Sequence, residues 1–137
     1  MTARVLVLLS DGNDNSSEGT LTQAIEAAQR SDVTIYAIST NSSGSKSTGD
    51  EVLQQLAMET GGKALFPSGP DHTAISFRSV EKELRSRYVV SYKPNDFILD
   101  GRFRRIQIFA RRVAKEFNVH TRSGYYAPLF QDSLVVH

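Results

Sequence analysis

The sequence has 137 residues, a formal net charge of +1 and no cysteine. That length suits one domain with a modest core, and the balanced charge gives no general pull toward nucleic acid or an acidic membrane surface. The lack of cysteine excludes a disulfide framework, a thiolate metal site and a cysteine nucleophile. His72, His120 and His137 are far apart and lack zinc-ligand spacing. No apolar run approaches the roughly 20 residues of a membrane helix and no signal peptide precedes Val5, so a soluble piece without membrane insertion is expected.

Residues 4–9, RVLVLL, are a short non-alternating apolar run rich in branched side chains, which predicts a strand buried on both faces in the middle of a parallel sheet. The run stops at Ser10, Asp11 and Gly12, and Asp-Gly is favoured wherever a strand must turn. Thr20 followed by Gln23 matches a capping box, with Leu21, Ala24, Ile25 and Ala28 at helical spacing over 20–31. VTIYAI at 33–38 is a second buried strand, and the Ser/Gly/Thr-rich stretch 39–49 reads as a loop. A helix is expected from Asp50, with Leu53, Leu56, Ala57 and Thr60 on one face and Gly61-Gly62 as its stop. KALF at 63–66 is a short third strand, 67–71 turns the chain, and Ala74, Phe77, Val80 and Leu84 mark the inner face of a third helix ending near Ser86. Three strand-helix units in succession imply an α/β fold, a partial Rossmann-like parallel sheet with right-handed crossovers.

After Arg87 the pattern changes. YVVSYKP places Tyr88, Val90 and Tyr92 on one face, FRRIQIFA alternates through Ile106, Ile108 and Ala110, and FNVHT offers Phe117, Val119 and Thr121. With PNDFILDG and RRVAKE as hairpin links, an antiparallel β-meander is expected. The chain then divides into 1–86, the α/β part, 87–128, the meander packed with it, and a tail at 129–137.

Taken in order, RVLVLLSDGNDN, VTIYAIST, ETGGKALF, ELRSRYVVSYKPND, DGRFRRIQIFA and SGYYAP resemble the carboxyl-terminal part of bacterial von Willebrand factor type A-related proteins, over residues 4–128. The resemblance implies an open α/β sheet whose metal-ion-dependent adhesion site lies at the carboxyl ends of the strands. That site draws on an Asp-x-Ser-x-Ser loop, a threonine from a later loop, and an aspartate in a Thr/Ser-Asp-Gly turn. Asp11 matches the third segment, with Ser10, Gly12, Asn13 and Asp14 beside it. No stretch matches the other two: DGNDNSS carries Asp14, Ser16 and Ser17 but is not Asp-x-Ser-x-Ser. The expectation is therefore the second half of such a domain, a non-enzymatic protein-protein interaction or adhesion module with an incomplete metal site. Magnesium takes about six oxygens and dehydrates reluctantly, so Asp11 with two hydroxyls would hold it weakly. No tightly bound cofactor is expected, and Mg²⁺ or Mn²⁺ is assigned to a full-length parent, which the resemblance places in a secreted or extracytoplasmic setting.

Two other classes compete. SDGND also resembles the Mg²⁺-holding loop of haloacid-dehalogenase-like phosphatases, but no Asp-x-Asp nucleophile loop follows a strand, and Lys63 is a poor match for that family's lysine. ETGGK is a helix stop rather than a phosphate loop, which would precede a helix. The third class is a purely structural assembly domain. Arg102, Arg104, Arg105, Arg111, Arg112 and Lys115 cluster on the meander, where a solvated face opposing aggregation is expected rather than a nucleic-acid site. Tyr125 and Tyr126 are expected to pack a terminal segment onto the sheet. With the family's earlier strands absent, Val5, Leu6, Val7, Leu8 and Leu9 are expected to form an apolar edge that recruits a second copy or is covered by the tail.

Overall fold

The computed structural model describes residues 4–13, 19–41, 43, 45–95, 98–112, 115–117 and 119–129. Asp14, Ser16, Ser17 and the tail from residue 130 lie outside them. The elements run β1 (Arg4–Ser10), α1 (Leu21–Arg30), β2 (Val33–Ser39), α2 (Thr48–Thr60), β3 (Ala64–Leu65) and α3 (Pro70–Arg85). Four short strands follow: β4 (Phe103–Arg105), β5 (Ala110–Arg112), β6 (Lys115–Phe117) and β7 (Gly124–Tyr126). The first three strands form one parallel sheet in the order β1-β2-β3, the alternating α/β arrangement expected.

β2 occupies the centre, and from Thr34 to Ser39 every residue is buried. Its two faces can be told apart by their partners. Ile35 and Ala37 belong to apolar clusters with residues of α1 and α2: Ala28 and Leu56 in one, Leu53 and Ala57 in the other. Leu8 of β1 packs against both clusters. Tyr36, on the opposite face, lies near Glu83 of α3 and Arg87. Burial, and then Glu83, push its phenol above the ordinary value while Arg87 opposes them.

The helix faces follow the sequence closely in α2. Leu53, Leu56, Ala57 and Thr60 are all buried, and Thr60 Oγ1 accepts from the Ile35 N–H at 3.1 Å, securing β2 to the end of the helix. α2 starts at Thr48, two residues before the expected Asp50. Ser47 is the N-cap, its side chain accepting from the Asp50 N–H while the Asp50 carboxylate accepts from the Ser47 N–H, a reciprocal capping box. Gly61 ends the helix in the left-handed conformation at φ 84°. α1 begins with the expected Thr20–Gln23 capping box and points Leu21, Ile25 and Ala28 inward, but Ala24 is exposed. Gln29 is buried instead, its amide donating to the Glu59 carbonyl at 3.0 Å and to Ser123 Oγ at 3.1 Å.

α3 departs further from expectation. It begins at Pro70, and its inner face is Ser76 and Val80, whereas Ala74 and Phe77 are exposed. Apolar residue type did not mark the core side because the small Ser76 hydroxyl satisfies itself on the His72 carbonyl at 3.0 Å and so can be buried.

Two expectations about strands are corrected. β1 is not the doubly buried central strand that its composition suggests: among the described residues it is the sheet edge, as the missing earlier strands led one to expect, and Val5, Leu6, Val7 and Leu9 are exposed. Hydrophobic composition describes what a strand tolerates, not whether a neighbour is there. Residues 87–94 form no strand, and Tyr88 and Val89 are largely exposed, with no ladder partner alongside among the described residues. The meander resolves into two separate two-stranded antiparallel ladders, β4-β7 and β5-β6. β5 and β6, on either side of the expected RRVAKE link, do pair antiparallel, whereas no ladder among the described residues spans PNDFILDG, part of which lies outside them. Asp100 instead bridges to Leu129, and β7, for which the sequence offered no regular pattern, pairs with β4.

The segment around β7 is held to the α/β part by several side chains. Arg30 stacks over the Tyr126 ring at 3.9 Å, Arg122 is ion-paired with Asp32, and the Ser123 N–H donates to the Glu59 carbonyl. Tyr125 meets Tyr92 edge-on at 6.4 Å. Tyr126 thus packs against α1 and Phe103, and Tyr125 against Tyr92 and Arg122, rather than onto the parallel sheet as expected. Of the basic residues, Arg104 and Arg102 pair with Asp100, and Arg105 and Arg111 are exposed.

Candidate functional site

The carboxyl ends of β1 and β2 form one polar rim, the place where open α/β sheets present ligand-binding loops. The Ser10 carbonyl accepts from the Thr40 N–H at 2.9 Å, so the two strand ends leave the sheet together.

On the β1 side the chain turns at once. Ser10 Oγ accepts from the Gly12 N–H at 3.0 Å. The Asp11 carboxylate accepts from the Asn13 backbone N–H at 3.0 Å and, through its other oxygen, from Asn13 Nδ2 at 3.2 Å. This is an Asx turn, in which a side-chain carboxylate replaces a backbone acceptor. Gly12 has φ 76°, and a Cβ there would meet the Gly49 carbonyl oxygen at 2.0 Å. The clash is reciprocal, since a Cβ on Gly49 would come within 2.2 Å of the Asp11 carbonyl oxygen. Two glycines thus let the turn after β1 lie directly on the first turn of α2.

On the β2 side the organising group is Asp50, which is buried. One carboxylate oxygen accepts from Ser39 Oγ at 2.5 Å, and the other from Asn41 Nδ2 at 2.8 Å and the Ser47 N–H at 2.9 Å. Asn41 Nδ2 also donates to the Ser45 carbonyl at 3.1 Å, tying the loop across itself. The hydrogen bond from Ser39, reinforced by those from Ser47 and Asn41, outweighs burial and holds the Asp50 carboxyl down to about 2. Its position in the first turn of α2 adds the favourable end of the helix dipole.

Sequence reasoning found Ser10, Asp11, Gly12 and Asn13, and the structure brings all four into one turn. It missed Asp50, Ser39, Asn41 and Ser47. The signal was present as Ser47-x-x-Asp50, a capping box hidden inside a stretch that composition marks as loop.

The metal question turns on free oxygens. Asp11 supplies the one exposed carboxylate of the rim, each of its oxygens accepting a bond from Asn13 and keeping one lone pair, the Ser10 hydroxyl accepts from Gly12, and the Asp50 oxygens are buried and engaged. Among the described residues no group of three or more His, Asp or Glu side chains is placed to hold a cation. Magnesium needs about six oxygens in near-octahedral array, so these residues do not fit it unaided. Asp11 acts here as the organiser of a turn.

No curated protein matches the chain. Among solved structures, an uncharacterized membrane spanning protein from Vibrio fischeri is similar at a TM-score of 0.53 and 18% identity, covering 61% of this chain. The chain spans about half of that protein, 48% of its length, and at this identity the likeness concerns the fold alone. Among the described residues no helix is long and apolar enough to cross a membrane. The sequence profile of the von Willebrand factor type A domain matches residues 2–79, more than half of the chain and all of the sheet that carries the polar rim. The chain therefore belongs to the von Willebrand factor type A domain family.

Proposed function

We propose that this chain is a non-enzymatic protein-interaction module, corresponding to the second half of a von Willebrand factor type A domain of a bacterial protein, and that its adhesion-type metal site is incomplete. The observation that carries the reading is Asp11. It stands in a Ser-Asp-Gly turn at the carboxyl end of β1, where its carboxylate caps the turn through Asn13 and no other carboxylate or imidazole joins it in a metal-binding group among the described residues. Mg²⁺ or Mn²⁺ would need ligands from outside the described residues, such as the remainder of a longer parent, and a secreted or extracytoplasmic setting goes with that parent. Its partner is a protein rather than nucleic acid, because the basic side chains near β4 are partly neutralised by Asp100.

The hydrolase alternative lacks its parts. No second carboxylate accompanies Asp11 among the described contacts, and Lys63 stands at the opposite end of α2 from Gly49. Ser68 Oγ lies 3.1 Å from His72 Nδ1, but both are exposed and no carboxylate orients the imidazole among the described residues. The expected result is no turnover of a generic aryl phosphate with Mg²⁺ present. Turnover that disappears in Asp11→Asn would overturn the non-enzymatic reading.

A further inference from the structure

β3 closes the parallel sheet on the side opposite β1, and α2 packs on β2 and β3. α1 packs on β1 and β2 and lies beside α2. Strands joined to β1 in a longer parent would extend the sheet on the far side of α1, away from α2. The outer surface of α2 is therefore not the seam where such a parent would continue.

That surface is built from two adjacent rows at helical spacing. Glu51, Gln55 and Glu59 form one row and Gln54 and Met58 the next, while Leu53, Ala57 and Thr60 are buried on the opposite face. With Lys46, from the loop before the helix, these side chains line an open cleft of about 330 Å³. Met58 is 59% exposed, and Phe66, directly after β3, is 43% exposed. An unbranched, polarizable thioether at the surface adapts readily to a partner's apolar side chain.

The charges of the cleft are unequally engaged. Lys46 Nζ donates to Gln54 Oε1 at 2.7 Å and lies 5.8 Å from the centre of the Phe66 ring. Gln54 Nε2 in turn donates to Met58 Sδ at 3.8 Å. Neither the Glu51 nor the Glu59 carboxylate has an ion pair among the described residues. They stand two turns apart, about 12 Å along the helix axis.

We propose that this cleft docks a basic amphipathic helix of a partner protein, entering between the two rows with an apolar residue toward Met58 and a lysine or arginine one turn to either side of it. The proposal rests on the interaction-module reading and supplies its surface and the chemistry of its partner. Ridge-into-groove packing sets a row of the incoming helix between the Glu51 and Met58 rows, so basic residues two turns apart reach Glu51 and Glu59 together. Charge excludes the other occupants. A second copy docked through the same ridge would set Glu51 against Glu59 or against itself, and an anionic lipid surface or nucleic acid would meet the same two carboxylates.

Titration of the isotope-labelled full chain, followed by amide chemical shifts, tests this. The probes are two synthetic alanine-based helical peptides, one carrying Lys-x-x-x-Leu-x-x-x-Lys and the other Glu-x-x-x-Leu-x-x-x-Glu. At low salt the lysine peptide is expected to shift the amides of residues 51–59 and 66 and to bind about tenfold or more tighter than the glutamate peptide. Glu51→Lys combined with Glu59→Lys is expected to invert that preference. Met58→Ala, which alters no charge, is expected to weaken the lysine peptide by about threefold. All three side chains lie outside the core, so an unchanged circular dichroism spectrum is expected. No binding, equal binding of both peptides, or binding indifferent to Met58→Ala overturns the proposal. Concentration-dependent shifts of the same amides without peptide would assign the ridge to a second copy and overturn it too. Shifts confined to Ser10–Asn13 would move the docking surface to the rim and leave the interaction-module reading standing, whereas that reading falls separately on the aryl phosphate result.

Discussion

Replacing Leu53 by alanine is expected to destabilise the fold by about 2–5 kcal/mol, the range for truncating a fully buried leucine. Leu53 is 2% exposed and sits between Ala37 of β2 and Ala57 of its own helix, with Leu8 of β1 and Ala64 of β3 packed on the same cluster. Leu53 therefore belongs to a cluster that joins α2 to all three strands of the parallel sheet. Its neighbours are mostly alanines, which cannot swing into the space left behind, so relaxation is limited and the cost should fall in the upper half of the range. Met58→Ala on the exposed side of the same helix is the control, expected to stay within about 0.5 kcal/mol. Urea denaturation of the two variants at equal protein concentration measures the difference. Equal midpoints would mean that α2 does not pack on the sheet through this face.

The second large effect belongs to Asp50. Asp50→Ala would leave the Ser39 hydroxyl, the Asn41 amide and the Ser47 N–H without their common acceptor, and removes half of a capping box. Hydrogen bonds to a charged group contribute about 1.5–3 kcal/mol each, and stranded buried donors add to the loss, so a cost of roughly 3 kcal/mol is expected. Asp50→Asn should recover part of it, since the amide oxygen still accepts one bond. The same carboxylate gives a pH signature. Its folded value, about 2, lies below its ordinary 3.8, so the unfolded chain binds the proton more readily. Stability from this group is fully present above about pH 4 and is lost as pH falls toward 2. Acid unfolding followed by far-ultraviolet circular dichroism should show a loss between those values that is shallower in Asp50→Asn. Superimposable acid profiles would remove Asp50 from the account.

What the sequence revealed follows from which forces act locally. The inner face of α2 was fully legible, because Leu53, Leu56, Ala57 and Thr60 recur at helical spacing and Gly61 must adopt a positive φ. The Thr20–Gln23 cap was legible for the same reason. The failures depend on neighbours. Composition alone makes VLVLL look the same whether central or at an edge, so its edge position was legible only through the strands missing before it, and YVVSY has strand propensity but no strand beside it among the described residues to complete a ladder. β7 was invisible because its pairing to β4 joins residues far apart in the chain. At the rim, Asp11 could be located by its Ser-Asp-Gly turn, but the use of its oxygens could not, since that depends on Asn13 folding back. Asp50 was overlooked because the Ser/Gly-rich composition around it suggested an unstructured connection, when its carboxylate orders that connection.

Asp11 as a turn-former, with its metal partners missing from the described rim, is the central claim and can be measured directly. Calorimetric titration of the chain with Mg²⁺ and with Mn²⁺ should show no binding tighter than about 1 mM, because a single carboxylate without companion ligands among the described residues supplies too few of the roughly six oxygens. Sub-millimolar binding that disappears in Asp11→Asn would contradict this account and establish a complete metal site on the chain itself.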